Sequence, residues 1–311
     1  MDGVIVVNKP CGLSSSDACL KVKKILGLRK AGHLGTLDPL ATGVLPLCIN
    51  EGTKLVQFLV KSEKEYIATL QLGIETDTQD SQGAIVRETG DVPRNHTAIR
   101  AVFEAFRGEL MQTPPMFSAL KRNGTPLYKI ARRGGWVHRE QRKVVIHDIE
   151  VMRIEIPYVV FRVVCSHGTY IRTMCHDIGR RLLCGAHLTE LKRVRNGSFH
   201  IRESVSLDEF DMFSREELIE KYLIPAKDAL QGLPELTADS LLEQKIRNGA
   251  HITLQDIKSR GLSGFHRGQQ IKILSLQGSL IAVVESLVSE STSDHCSDTV
   301  KAWKTLRVFL H

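Results

Sequence analysis

A thirteen-residue stretch near the N-terminus constrains the fold of this chain most strongly. Ala31-Gly-His-Leu-Gly-Thr-Leu-Asp-Pro-Leu-Ala-Thr-Gly43 holds three glycines and a proline, a density that predicts a loop. The β-branched run Gly3–Asn8 before it predicts a strand, and Val44–Ile49 after it predicts a second one. Between strand and loop, capping residues from Ser14 onward and apolar spacing up to Gly27 predict a helix. The chain therefore opens as strand, helix, loop and strand.

The loop presents a single carboxylate, Asp38, between Leu37 and Pro39. Pro39 restricts its own φ and biases Asp38 toward an extended conformation. A carboxylate on a rigid loop suits nucleophilic or base chemistry, and it suits equally a cap on the following turn. The loop lacks the Gly-Lys-Ser/Thr ending of a phosphate-binding loop and has no dinucleotide fingerprint.

The remaining pattern predicts an α+β body followed by an all-β tail. Alternating apolar residues predict a strand near Tyr66–Leu72, and Val144–Ile154 with Val159–Ser166 predict paired strands. A further strand is predicted at Val194–Ile201. Beyond Pro234, short strands with polar turns predict a small β-barrel.

The positive charge is concentrated in one segment, residues 116–143. It contains eight basic residues and one acidic residue, which accounts for the whole net charge of +7. Its prolines and glycines predict an insertion of short helix and loop. A local basic excess is typical of a nucleic-acid contact, and a solvated basic loop is the alternative.

Several classes of protein are excluded by composition. The seven cysteines are scattered without C-x-x-C spacing, which favours reduced thiols in the cytoplasm and argues against a disulfide framework or a structural zinc site. We therefore expect no metal. No apolar run approaches the roughly 20 residues of a membrane helix, and the N-terminus does not have the pattern of a signal peptide.

Five stretches in order resemble the TruB family of tRNA pseudouridine synthases, which act at tRNA position 55. The resemblance covers about Gly3 to Ile224, and its motifs are Asn8-Lys9-Pro10 with Gly12, Gly32-His-Leu-Gly-Thr-Leu-Asp-Pro-Leu-Ala-Thr-Gly-Val-Leu-Pro46, Lys64-Glu-Tyr66 with Thr76-Asp-Thr-Gln-Asp80, Pro115-Met-Phe-Ser-Ala-Leu-Lys121, and Gly168-Thr-Tyr-Ile-Arg172 with Leu191-Lys-Arg193. The tail is similar to a PUA RNA-binding domain. Phe117 departs from the family pattern, which has tyrosine there, and the polar loop Ser286–Thr299 is long.

The resemblance implies a role for individual residues. Asp38 matches the essential aspartate that attacks the target nucleoside, and Arg172 matches the arginine that pairs with it. Tyr66 matches the tyrosine that stacks on the flipped uracil; without the family it would be a core residue. The other implied site residues are the pocket residues Tyr170 and Leu191, the space-filling His33, the supporting pair Lys9 and Pro10, and the RNA-binding Lys121, Arg122, Arg132 and Arg133.

The resemblance also implies an architecture and a partner. It implies a mixed, mainly antiparallel sheet flanked by helices in residues 1–229, interrupted by a basic thumb at about 116–143, and a PUA-like β-barrel in residues 233–311. The expected partner is tRNA, through its T-arm stem-loop, with no cofactor, no obligate protein partner and a monomeric state.

Three other functions remain open from the sequence. The first is a guide-RNA-dependent pseudouridine synthase subunit, which shares the aspartate loop. The second is a non-catalytic protein that binds or folds tRNA. The third is a glycoside hydrolase, which normally requires two carboxylates flanking the bond, whereas the loop offers one acid.

Overall fold

The computed structural model of the chain describes residues 1–290 and 301–309. Within them, the strands are β1 Gly3–Lys9, β2 Ala31–His33, β3 Thr42–Ile49, β4 Lys64–Leu72, β5 Ile74–Thr76, β6 Ile85–Glu88, β7 Gly108–Gln112, β8 Lys121–Arg122, β9 Thr125–Pro126, β10 Arg142–Glu155, β11 Tyr158–Cys165, β12 Ala186–Asn196, β13 Phe199–His200, β14 Val205–Ser206, β15 Leu223–Pro225, β16 Glu235–Thr237, β17 Ile252–Thr253, β18 Gln270–Leu274, β19 Leu280–Ser286 and β20 Lys301–Val308.

The helices lie between these strands. They are α1 Ser15–Ile25, α2 Val56–Leu59, α3 His96–Glu104, α4 Leu127–Ala131, α5 Ile171–Arg181, α6 Glu209–Met212, α7 Arg215–Tyr222, α8 Ala226–Ala229, α9 Ser240–Arg247 and α10 Leu254–Lys258, with 3₁₀ turns at Asn50–Leu55 and Ile201–Glu203. None of the helices among the described residues is long and apolar enough to cross a bilayer.

An eleven-stranded sheet forms the body, in the order β14-β1-β3-β12-β4-β11-β10-β7, with β2, β13 and β15 pairing at its sides. The pairs β1–β14 and β3–β12 are parallel and the other pairs of this sheet are antiparallel. Val4–Val7 of β1 are fully buried, as expected for a strand covered on both faces. The mixed, mainly antiparallel α+β fold is confirmed.

Helix α1 packs its apolar side on this sheet and thereby places the loop that follows it. Ser14 caps the helix by accepting a hydrogen bond from the Asp17 N–H. Ala18 and Val22 are buried with Ile5 and Leu47 of the sheet in one core. The loop then begins only after β2, because Ala31–His33 pairs with Leu47–Ile49 of β3.

Two predicted element boundaries in the body are therefore wrong. The predicted loop covers residues 31–43, whereas only residues 34–41 are irregular. Residues 31–33 form β2 despite Gly32, because their main-chain pairing to β3 outweighs the low strand propensity of glycine. The strand predicted at Val194–Ile201 is instead the end of β12, a turn at Gly197 and the short β13. Gly197 has φ +60°, which suits a tight turn, and the charged residues of β12 obscured its strand pattern.

The basic segment is an insertion of short elements, as predicted. The two-residue strands β8 and β9 pair with each other, and α4 follows them. The segment's last two residues, Arg142 and Lys143, already belong to β10 and pair with β7.

The tail forms a second, curled sheet in the order β16-β18-β19-β20-β17, a half-barrel. The prediction of an all-β tail is wrong, because α9 and α10 pack against this sheet. Both carry capping signals in the sequence: Asp239 accepts from the Leu242 N–H, and Thr253 forms a capping box with Asp256. Residues 291–299 of the predicted Ser286–Thr299 loop lie outside the described residues.

The two sheets share an apolar cluster. Val4 and Val44 of the body pack in it with Leu274, Val283 and Phe309 of the tail. The Lys54 ammonium in addition donates to the Val308 carbonyl at 2.8 Å. The tail therefore packs on the face of β1 and β3 that is opposite to the one covered by α1.

Candidate active site

The backbone around Asp38 is held by buried side chains on the N-terminal side of the loop. The Ser15 hydroxyl accepts from the Leu37 N–H at 2.7 Å and donates to the Leu37 carbonyl at 2.9 Å. The Lys9 ammonium donates to the carbonyls of Pro10, Leu13 and Pro39. Both residues flanking Asp38 are thus bonded to the first strand and helix.

Strand β12 holds the other part of the loop. Arg193, which is 1% exposed, donates to the Gly35 carbonyl at 3.0 Å and to the Val44 carbonyl at 2.7 Å. Asn196 donates to the Leu34 carbonyl at 2.6 Å. A Cβ on Gly43 would lie 2.2 Å from the Arg193 carbonyl oxygen, so only glycine permits this approach. Buried carbonyls of an irregular loop need such partners.

The Arg172 guanidinium pairs with the Asp38 carboxylate. Arg172 Nε lies 2.9 Å from Asp38 Oδ2; the arginine side chain is 5% exposed and the aspartate side chain 36% exposed. Arg172 is the second residue of α5, and its other nitrogens donate to the carbonyls of Thr78 at 3.1 Å and Phe117 at 2.7 Å. The arginine is fixed on several sides, whereas the carboxylate keeps access to solvent.

A second carboxylate, Asp80, shares this arginine and was not assigned a site role from the sequence. Arg172 Nη1 lies 3.4 Å from Asp80 Oδ2. Asp80 is buried and its Oδ1 accepts from the Thr78 hydroxyl and the Gln82 N–H. The signal was present as the last residue of Thr76-Asp-Thr-Gln-Asp80, but only the fold brings that loop to α5.

The charge state of Asp38 is set by opposing effects. Burial raises the pKa of this carboxyl above its usual value, Arg172 lowers it, and the nearby Asp80 raises it. Burial has the largest effect, and the Arg172 guanidinium, which is always protonated, opposes it by favouring the ionised carboxylate. Asp80, enclosed and paired, is not available as a second acid facing the site.

Aromatic and apolar residues lie on neighbouring strands. Tyr66 on β4 stands opposite Arg193 in the strand ladder, and Leu191 stands opposite Ala68. Tyr66 and Leu191 are both 8% exposed and belong to the main core. Burial raises the pKa of Tyr66, so its phenol is neutral at pH 7.

Tyr170 and His33 flank the arginine and the loop respectively. Tyr170 precedes α5, and its backbone N–H and carbonyl bond to the Gln112 side-chain amide. Burial, with a smaller effect of Arg193, lowers the pKa of His33. The His33 Nδ1 is buried without a hydrogen-bond partner among the described residues, so a polar group of a ligand would satisfy it.

The basic side chains of the insertion lie outside this cluster. Lys121, Arg122, Arg132 and Arg133 are exposed, and no contact recorded among the described residues joins them to Asp38. The base of the insertion does reach the site, because the Phe117 carbonyl is the Arg172 partner noted above. Phe117 acts there through its backbone, so the missing tyrosine hydroxyl does not affect this contact.

A partly exposed carboxylate paired with a buried guanidinium, on a loop held by buried side chains, defines a site for nucleophilic or base chemistry. The comparisons with known proteins agree with this class. Residues 23–171 match the TruB family pseudouridylate synthase N-terminal domain, and residues 172–231 match the tRNA pseudouridylate synthase B C-terminal domain. The chain belongs to the TruB family of pseudouridine synthases.

Similar proteins cover nearly the whole chain. A tRNA pseudouridine synthase B of Geobacter sulfurreducens is 42% identical over 99% of this chain and 100% of its own length. One of Clostridium kluyveri is 44% identical over 84% of this chain and 88% of its own. Among solved structures, a Cbf5-Nop10-Gar1 complex has a chain with a TM-score of 0.74 and 31% identity, covering 99% of this chain and 85% of that one.

Proposed function

We propose that this protein isomerises uridine to pseudouridine at position 55 in the T-loop of tRNA. The observation that carries the proposal is the Asp38–Arg172 pair on a loop whose flanking carbonyls and amides are all held by buried side chains. The proteins to which it is similar along its length are named tRNA pseudouridine synthase B.

The reaction breaks the bond between uracil N1 and ribose C1′ and forms a bond between uracil C5 and the same C1′. The C5 proton leaves and N1 gains a proton, so no redox partner is required. Asp38 acts on the flipped nucleoside, either as a nucleophile at base or sugar or by way of a glycal-type intermediate, and Arg172 orients it and favours its ionised form. The preorganised charge pair stabilises the charge that develops as the glycosidic bond breaks.

The surrounding residues hold the detached ring. Tyr66 stacks on the extruded uracil, and its neutral phenol is the candidate for proton transfer to or from the ring. Tyr170 and Leu191 complete the pocket, and His33 occupies the space that the flipped nucleotide leaves. Lys9 and Pro10 support the loop from below through the carbonyl contacts of the Lys9 ammonium.

The RNA is bound mainly outside the pocket. We assign residues 1–229 to the catalytic domain and residues 233–311 to a PUA-like RNA-binding domain, with the thumb at 116–143 closing on the T-arm. Its exposed Lys121, Arg122, Arg132 and Arg133 contact phosphates, which position the RNA without reading sequence. The protein acts as a cytoplasmic monomer without cofactor or obligate protein partner.

The decisive test is tritium release from a T-arm stem-loop labelled at uracil C5. Wild-type protein is expected to release tritium, and Asp38→Asn to bind the RNA without release. Asp91→Asn, which changes an exposed aspartate elsewhere, is the matched control and keeps wild-type activity. Release by Asp38→Asn would remove Asp38 from the mechanism.

A guide-RNA-dependent subunit is the second candidate, because a structure titled H/ACA RNP bound to a substrate RNA is also similar, with TM-score 0.74 and 29% identity. The basic thumb favours the stand-alone enzyme. Release of tritium by the purified chain from RNA alone excludes the guide requirement. Tight binding of the stem-loop without release would favour the guided subunit or a non-catalytic tRNA-binding protein.

A further inference from the structure

The thumb carries an exposed tryptophan that neither the fold nor the chemistry explains. Trp136 is 70% exposed, whereas the chain's other tryptophan, Trp303, is 1% exposed and packs against Phe265 in the tail. Tryptophan is enriched at interfaces, where its large rigid ring gains contact area. Its exposure on a basic segment makes Trp136 a candidate contact residue.

The backbone holds this indole in place at the end of a short helix. Leu127 buries the start of α4, and the Gly134 and Gly135 N–H groups bond back to the carbonyls of Ala131 and Ile130. A Cβ on Gly135 would lie 2.7 Å from the Ile130 side chain. The turn is therefore tight, and the backbone that leads into Trp136 is fixed by these contacts.

One arginine lies against the ring. The Arg139 guanidinium carbon lies 5.5 Å from the Trp136 ring centroid, a cation–π contact, and the His138 ring centroid lies at 6.4 Å. Arg122 donates to the His138 carbonyl, which ties the β8 strand to this segment. An exposed aromatic ring beside an arginine, on a basic segment, is a pattern with which proteins bind single-stranded nucleic acid.

We propose that Trp136 stacks on an unpaired nucleobase of the substrate RNA, a base other than the uridine that reacts. RNA is favoured over other partners because the N-terminal end of the same segment contacts Arg172 through the Phe117 carbonyl. A ligand bound by the thumb therefore lies next to the Asp38–Arg172 pair. A base inside a helix has both faces covered by its neighbours, so the ligand is a loop base. The proposal rests on the proposed function.

The experiment titrates a T-arm stem-loop into the protein and measures affinity, kcat, KM and tryptophan emission. Trp136→Ala is expected to weaken binding about 5- to 150-fold, the range for loss of one base–aromatic stack, with KM raised and kcat at saturating RNA unchanged. Trp136→Phe is expected to restore most of the affinity. RNA is expected to quench the solvent-exposed component of emission, which Trp136→Phe lacks, while the buried Trp303 signal reports an intact fold.

Two controls separate stacking from charge. Tyr158→Ala removes another exposed aromatic, far from the thumb in sequence and 45% exposed on β11, and keeps wild-type affinity. Arg132→Gln lowers the salt dependence of binding by about one phosphate contact, whereas Trp136→Ala leaves that dependence unchanged. Replacing each loop nucleotide in turn by an abasic one identifies the base, because at one position the wild type and Trp136→Ala then bind equally.

The outcomes are distinguishable. Wild-type affinity for Trp136→Ala, equal quenching by heparin, or an unchanged affinity ratio with every abasic RNA overturns the stacking site while leaving the proposed function standing. If the wild-type protein neither binds nor isomerises the stem-loop, the stacking site at Trp136 and the proposed function are both refuted.

Discussion

Removing the Ser15 hydroxyl tests the view that the loop backbone positions Asp38. Ser15 is buried, and its Oγ is bonded both to the N–H and to the carbonyl of Leu37, the residue before Asp38. Ser15→Ala leaves both groups without partners in the core. At about 1–3 kcal/mol for each buried polar group left unpaired, the expected loss of unfolding free energy for the two groups is about 2–6 kcal/mol.

This loss has two measurable consequences. A midpoint decrease of about 2–4 °C per kcal/mol gives a melting temperature lower by about 4–24 °C. A displacement of the carboxylate on the order of 1 Å lowers kcat about 100-fold, with KM for RNA nearly unchanged because Ser15 lies beneath the loop. Calorimetry and the tritium-release assay measure the two effects.

The neighbouring Ser16 provides the matched control. It lies in the same helical turn but is exposed, so Ser16→Ala is expected to leave both the melting temperature and kcat unchanged. A Ser15→Ala protein that behaves like Ser16→Ala in both measurements would refute the reasoning, because the loop would then hold its geometry without this clamp.

Two further predictions concern charge. Asp80→Asn removes a negative charge that raises the pKa of Asp38, so the acid limb of the pH–kcat profile is expected to move to lower pH. At neutral pH, kcat is expected to fall about 10- to 100-fold, because Arg172 loses an ion-pair partner that positions it. An acid limb that does not move would contradict the effect of Asp80 on the Asp38 pKa. Burial lowers the pKa of Lys9 from 10.5 to about 8. Between pH 8 and 10.5 the Lys9 amine is protonated in the unfolded chain and largely neutral in the folded one, so the free energy of unfolding rises with pH. In Lys9→Met the free energy of unfolding is expected to rise less between pH 8 and pH 10, as measured by urea unfolding. An identical rise in both proteins would refute the lowered pKa of Lys9.

The opening strand, helix and loop could be predicted because their signals are local. β-Branched residues, capping side chains and glycine content act within a few residues of chain. The same holds for the pairing of β10 with β11, whose alternation survives in the sequence. Strand β12 could not be predicted in this way, because Lys192, Arg193 and Arg195 break the alternation of apolar residues. The burial of Arg193 depends on its hydrogen bonds to a loop that is distant in sequence.

The candidate site likewise contains residues that local sequence signals predict and residues that only tertiary contacts bring there. The sequence by itself determined that a carboxylate stands on a rigid loop and that Arg172 follows a matching motif. Only the tertiary structure decided which groups hold them, since Ser15 and Arg193 reach the loop, and Asp80 reaches Arg172, across sequence separations that no periodicity reports. Hydrogen-bond and ion-pair partners of buried groups are chosen by proximity in the folded chain, and proximity across the sheet is a property of the whole fold.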